Sequence, residues 1–286
     1  MQSAFPFMAD AGLGSDGAII GRDALQRTFC FDPFVLYQQG KLNGPNMLIL
    51  GDIGYGKSAL TKSYLYRQVV FGYTPLVTDV KGEYDRLCEA LEVNPVRFIS
   101  GGHLRLNPLD AKIGGSARLT LLRSIAELLV GRQLFPREGA ALELAYGEVE
   151  LAARRRQRQP RIPELVGQLL RPSEHAAQTL ETGVAELQEW GRDVAFSLRR
   201  LVTGDLAGMF DEETSPGMDL DGRMVSVNLR QVADAAKPIL TACVSTWLKS
   251  LWGRDDGRRR IVVQEEAWHL LKSPTFADMQ QENFKL

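Results

Sequence analysis

The stretch Asn46 to Leu60, NMLILGDIGYGKSAL, limits what this chain can fold into more than any other part of it. Met47 to Leu50 is an unbroken apolar run, the pattern of a parallel strand buried on both faces. Gly51 follows, then four residues, then Gly56, Lys57 and Ser58, which is the G-x-x-x-x-G-K-[ST] spacing of a phosphate-binding loop; Gly54 is a third glycine inside it. Glycine reaches backbone conformations closed to other residues, so successive N–H groups can turn inward on a triphosphate. From Lys57 a helical pattern places Leu60, Tyr64, Leu65 and Val69 on one face, and Gly72 closes it. The loop is thus expected between a strand and the positive end of a helix. Its expected nucleotide contacts are Gly51, Asp52, Ile53, Gly54, Tyr55, Gly56, Lys57, Ser58 and Ala59. Lys57 is expected to reach the β and γ phosphates and Ser58 to ligate Mg²⁺.

The remainder predicts an α/β fold with a helical insertion. Pro75 to Thr78 reads as a second buried strand ending at Asp79, in the stretch DVKGEY, and Val96 to Ile99 as a third. LRLNPLD follows at 104–110, with a turn at Asn107 and Pro108. From Ser116 to about Leu206 the pattern is helical, broken at Pro136, Pro160, Pro163 and Pro172, with no strand-like stretch. Strand and helix then return as Met224 to Leu229 and Pro238 to Trp252, and Arg260 to Val263 is a short apolar strand leading into QEEAWHLL. Upstream, the aromatic and β-branched segment TFCFDPFVLYQQGKLNGPN suggests a hairpin lying over the nucleotide fold. The expected organisation is a lead-in at 1–45, the first part of the core at 46–112, a helical subdomain at 113–208 and the second part of the core at 209–286. With 286 residues, 44% of them hydrophobic, the chain can supply such a core.

A phosphate loop needs carboxylates as partners, one for the Mg²⁺ shell and one to orient the attacking water. The strand RIVVQ ends in Glu265 and Glu266; by their order Glu265 is the metal-side residue and Glu266 the base, acting with Lys57. Asp79 and Glu83, after the second strand, are candidates for positioning magnesium, water or a neighbouring subunit. The alternative is that Asp79 caps the turn through Gly82 and Glu83 favours the first turn of the next helix. Phe34 and Tyr37 are candidates for core packing or for an adenine contact. Arg154, Arg155, Arg156 and Arg158 suit either a helix C-terminus or nucleic acid. Thirty-four basic against thirty-five acidic residues give a net charge of −1, so no bulk field draws the chain to polyanions. Cys30, Cys88 and Cys243 are scattered, as expected of reduced thiols in the cytosol, and the three histidines suggest no zinc site. No apolar run approaches a membrane span and no export signal opens the sequence, so a soluble chain is expected.

GDIGYGKS, DVKGEY, LNPLD and EEAWHLL, in that order with a helical insertion before the last, resemble the ATPases that power conjugative transfer and type IV secretion, within the FtsK/HerA superfamily of hexameric motors. The resemblance runs from roughly Phe31 to the end of the sequence. It implies a RecA-like P-loop core, Mg-ATP hydrolysis and assembly into a homo-hexamer. It also implies a cytoplasmic position at the inner face of the membrane, beside a secretion or conjugation channel, and movement of DNA or protein. A hydrolytically inactive nucleotide-binding subunit and a DNA-repair or chromosome-segregation translocase are the alternatives. Two departures stand out. Glu265 occupies the place of the family's usual aspartate, and Gln264 that of an apolar strand residue. The sequence also stops at Leu286, before the strand that lies between the two site-bearing strands in RecA-like sheets and before the family's trans-acting arginines. The expectation is a fragment of a longer ATPase, or a gap closed by another element or chain.

Overall fold

A computed structural model describes residues 14–52, 54–99, 101–204, 206–216, 222–252 and 259–265. Its centre is a four-stranded, all-parallel sheet. The strands are β3 (Tyr73–Asp79), β4 (Val96–Ile99), β5 (Val225–Gln231) and β6 (Arg259–Gln264), in the order β4-β5-β3-β6. β3 is buried along its whole length because it has a strand on each side and helices on both faces. Its proline is placed where a ladder can spare an N–H: β5 pairs with β3 only from Leu76 onward, and Pro75 has β6 alone beside it.

The two faces of the sheet carry separate cores. Val77 packs with Tyr64 and Leu65 of α2 (Lys57–Val70), with Leu87 and Cys88 of α3 (Asp85–Ala90), and with Ala18. Leu76, the residue before it, enters the larger cluster on the opposite face, as the two-residue period of a strand requires. That cluster takes in α4 (Gly115–Val130), α5 (Pro136–Arg155), α6 (Ile162–Leu170), α7 (Glu174–Thr179), α8 (Val184–Thr203) and α9 (Lys237–Trp252). The helices at 115–203 lie between β4 and β5 in the chain, and their buried face is continuous with the sheet's, through residues such as Leu122, Leu198, Phe98 and Val227. Each such leucine or valine contributes about 1.5–3 kcal/mol on leaving water.

The turn around Asn107 ties the helices down. Its buried amide donates to the carbonyl of Pro160 at 2.9 Å, its Oδ1 accepts from the N–H of Leu109 at 3.0 Å, and its own N–H reaches Thr214 Oγ1 at 3.1 Å. The arginine cluster closes α5. Arg154 pairs with Glu150 of the same helix at 3.1 Å, and Arg158 pairs with Glu164 of α6. Positive charge there meets the negative helix end.

Two expectations from the sequence are corrected. The hairpin pairs β1 (Ala18–Arg22) with β2 (Thr28–Phe31), and the following PFVLYQ is not extended but helical, forming α1 (Pro33–Gln38). Asp32 caps that helix, accepting from the N–H groups of Phe34 and Val35 at 2.9 and 3.2 Å, and Pro33 enters at its first position, where no N–H is needed. Second, Met47–Leu50 is not a strand: Leu48 and Leu50 are 81% and 80% exposed. An apolar run becomes a strand only where a neighbour offers backbone partners. Among the described residues neither edge of the sheet reaches this run, and the outer edge of β6 has no partner strand.

Candidate nucleotide site

Residues 51, 52 and 54–56 lie in an open loop, and Lys57 and Ser58 begin α2. Gly54 and Gly56 have φ of 87° and 85°, left-handed values that cost other L-residues energy, and no atom lies within 4 Å of where either would carry a Cβ. Gly56 is the N-cap of α2 and its carbonyl accepts from Leu60 N–H at 2.8 Å. No acidic residue occupies the first turn of α2, while Arg67 stands in its last, the charge order that favours an anion at the N-terminus. Lys57 curls back over the loop, its Nζ donating to the carbonyls of Gly51 at 2.6 Å and Asp52 at 2.8 Å. Gly51, Asp52, Tyr55 and Ala59 are exposed, and Ser58 is half-buried beside Lys57. Ile53 lies outside the described residues.

The second half of the site is built by the turn after β3. Asp79 is fully buried and accepts three backbone hydrogen bonds: Oδ1 from Gly82 at 2.7 Å and Glu83 at 3.0 Å, Oδ2 from Tyr84 at 3.0 Å. Of the two readings of Asp79, this geometry is the capped turn. Gly82 takes φ 76° inside it, packed against Arg230 and Asn228. Glu83 faces α2, where Lys62 Nζ lies 3.4 Å from its Oε2 and 3.3 Å from its carbonyl oxygen.

Tyr84 then reaches across the sheet edge. Its ring is fully buried, Lys62 Nζ stands 5.6 Å from the ring centroid, and the phenol donates to Glu265 Oε1 at 2.9 Å. Glu265 follows the last residue of β6, which runs alongside β3 with Thr78 opposite Gln264. Burial, together with the negative charges of Asp79 and Glu83, raises the Glu265 pKa above the ordinary carboxylate value; the Tyr84 hydrogen bond and Lys62 oppose that. Burial and the facing carboxylates push the Tyr84 phenol strongly up, so it remains a donor. Gln264, polar where an apolar residue is expected, donates to Ser245 Oγ of α9 at 3.3 Å. Glu266 lies outside the described residues.

Tyr84 and Lys62 were not singled out from the sequence. The available signal was the tyrosine closing DVKGEY, but its partner is 181 positions away. Phe34 packs on Tyr73, ring centroids 5.3 Å apart, and Tyr37 is half-exposed.

Comparison with solved structures finds VirB4 of Thermoanaerobacter pseudethanolicus, with a TM-score of 0.69 over 93% of this chain and 72% of that one, at 22% identity. The fold is similar to that of VirB4. The bacterial conjugative coupling protein TrwB, unbound, matches more loosely, with a TM-score of 0.47 at 17% identity over 74% of this chain and 54% of its own. TrwB in complex with ADP and Mg²⁺ gives 0.48 at 16% over the same shares. No family model matches the sequence, and no curated protein matches it. The VirB4-like fold is α/β, with a parallel sheet and helices packed on both faces.

The residues present suit a nucleotide with magnesium. The loop is open beside Gly54 and Gly56, whose positive φ favours glycine, and Lys57 supplies positive charge at the loop carbonyls. Among the described residues no three metal-ligating side chains cluster, but magnesium on a nucleotide takes only one or two protein oxygens, the rest coming from phosphates and water. No helix of the described residues is long and apolar enough to cross a membrane.

Proposed function

We propose that the chain binds ATP with Mg²⁺ and hydrolyses it as a subunit of a conjugative DNA-transfer or type IV secretion motor. The observation that carries this is the loop: two glycines in left-handed conformations with open space above them, Lys57 folded over the loop carbonyls, and the N-terminus of α2 beneath. Lys57 would hold the β and γ phosphates, Ser58 and Glu265 the metal, and Glu266 would orient the attacking water. The VirB4-like fold supports the motor reading, together with the order of GDIGYGKS, DVKGEY, LNPLD and EEAWHLL. On that reading the partners are further copies in a homo-hexameric ring, components of the membrane channel and DNA or protein cargo, with the protein at the cytoplasmic face of the membrane.

A second reading, nucleotide binding without turnover by the chain alone, is favoured by one observation. The segment leading into the loop, Met47–Leu50, is largely exposed and has no partner strand among the described residues, so the loop is not braced there against the strand that precedes Glu265.

The test is phosphate release from Mg-ATP over a range of protein concentrations, alongside equilibrium binding of ATP. Turnover that appears on concentration and disappears in Glu266→Gln supports the motor. Saturable binding with no turnover at any concentration selects the second reading, and absence of binding removes both.

A further inference from the structure

We propose that Tyr84 is a positioning residue for the magnesium side of the site, holding Glu265 by Oε1 so that the other carboxylate oxygen is kept for the metal. This rests on the nucleotide reading above and adds a residue and a role to it.

A glutamate that follows a strand has three side-chain torsions to fix before it can serve as a ligand. The phenol fixes them from the neighbouring strand's turn, at 2.9 Å. Tyr84 can act as an anchor because it is itself held from several sides. Its N–H is bound to Asp79 Oδ2 at 3.0 Å, and its ring lies in the core with Leu65, Val77 and Leu87. Lys62 Nζ stands 5.6 Å from the ring centroid while engaging Glu83. Asp79 ends β3, Lys62 belongs to α2 and Glu265 directly follows β6. The turn at 79–84 therefore joins the helix that begins at Lys57 to the carboxylate at the far side of the site. The same geometry matches the length of the acid: an aspartate would withdraw the carboxylate by one C–C bond, about 1.5 Å, out of reach of the phenol.

The experiment is a titration of Mn²⁺, followed by its electron spin resonance, into protein saturated with ADP, with ADP affinity measured separately in EDTA. In Tyr84→Phe, Mn²⁺ binding should weaken about tenfold while ADP affinity without metal stays within about twofold of wild type. Glu265→Asp keeps Tyr84 and loses the contact, so it should weaken Mn²⁺ about as much, and the double variant should be no worse than either single one. If Tyr84→Phe does not fold, Glu265→Asp decides alone: wild-type Mn²⁺ affinity in that variant overturns the proposal. Wild-type Mn²⁺ affinity in a folded Tyr84→Phe overturns it equally, as does additivity in the double variant. If the wild type binds no ADP either in EDTA or with Mn²⁺, the nucleotide reading fails first and the proposal falls with it, a result separate from the others.

Discussion

Lys57 donates to the carbonyl of Gly51, six residues behind it, with Nζ and O 2.6 Å apart. A second bond to Asp52 O at 2.8 Å completes a closed loop in which, among the described residues, the ammonium is held by backbone oxygens. Carbonyls hold a cation less strongly than phosphate does, so a nucleotide would draw Lys57 onto itself. Lys57→Ala should therefore weaken ATP binding by roughly tenfold to a hundredfold, the value of one charge-assisted contact. Because the loop is exposed, the same change should cost about 0.5 kcal/mol or less in stability. Titration with a fluorescent ATP analogue and urea unfolding check the two halves, and unchanged affinity would remove Lys57 from the site.

Gly54 and Gly82 both have positive φ, 87° and 76°, but for opposite reasons. At Gly54 nothing lies within 4 Å of an added Cβ, whereas at Gly82 it would meet Arg230 Cδ at 2.8 Å and Asn228 Nδ2 at 3.3 Å. Gly54→Ala should cost only the backbone strain, about 1–2 kcal/mol, while reducing ATP affinity strongly, since the methyl occupies the space left for phosphate. Gly82→Ala adds a packing clash to the strain, and about 2–4 kcal/mol of stability should go. Paired denaturation and binding curves test the contrast. A Gly54→Ala protein with wild-type affinity would show that the open space is not a ligand's.

Asp79 should behave as a structural residue. With both oxygens taken by Gly82, Glu83 and Tyr84 N–H groups, its removal leaves three donors without that acceptor, of which the Tyr84 N–H is buried and the other two partly buried. Asp79→Ala should destabilise the fold by about 3 kcal/mol or more. Asp79→Asn keeps an oxygen for Gly82 and Glu83 but turns an amide N–H toward that of Tyr84, and should cost about 1–2 kcal/mol. Urea unfolding decides, and an Asp79→Ala protein as stable as wild type would mean that the turn is held elsewhere.

What could be read in advance follows the range of the interaction. The turn at 54–56, the helix from Lys57 and the strand at Val96–Ile99 depend on neighbours in sequence, and they stand where the spacing puts them. PFVLYQ has the aromatic and β-branched composition of a strand, but Asp32 and Pro33 carry a helix-start signal and the helix prevails. The strand AIIGR was missed because it is short and holds a glycine. Met47–Leu50 shows the limit of apolar runs as evidence, since periodicity says nothing about which strand will lie alongside. Tyr84 and Glu265 could not be paired from the sequence at all. Their contact exists only because β3 and β6 are adjacent, and adjacency of parallel strands is a property of topology.

The helical region offers a pH-dependent test independent of the nucleotide site. Glu138, buried at the start of α5, accepts from both guanidinium nitrogens of Arg132 at 2.7 Å and from the N–H of Phe135 at 2.8 Å, while Arg132 stacks 4.1 Å from the Phe135 ring centroid. The Arg132 hydrogen bonds, then the Phe135 N–H, hold the carboxyl below its ordinary value of 4.5 against the opposing effect of burial. A carboxylate with a lowered native pKa binds its proton more readily in the unfolded chain. Its contribution is therefore fully present above the ordinary value and is lost as pH falls through the lowered one. Glu138→Gln removes the charge but keeps an acceptor for Phe135, so it should cost about 1–3 kcal/mol near neutral pH. The stability difference between wild type and variant should then shrink as pH drops below about 4.5, the unperturbed carboxylate range. Urea midpoints for the two proteins between neutral pH and pH 3 measure this directly. A difference that stays constant across that range would show that the Arg132 pair contributes through packing and not through charge.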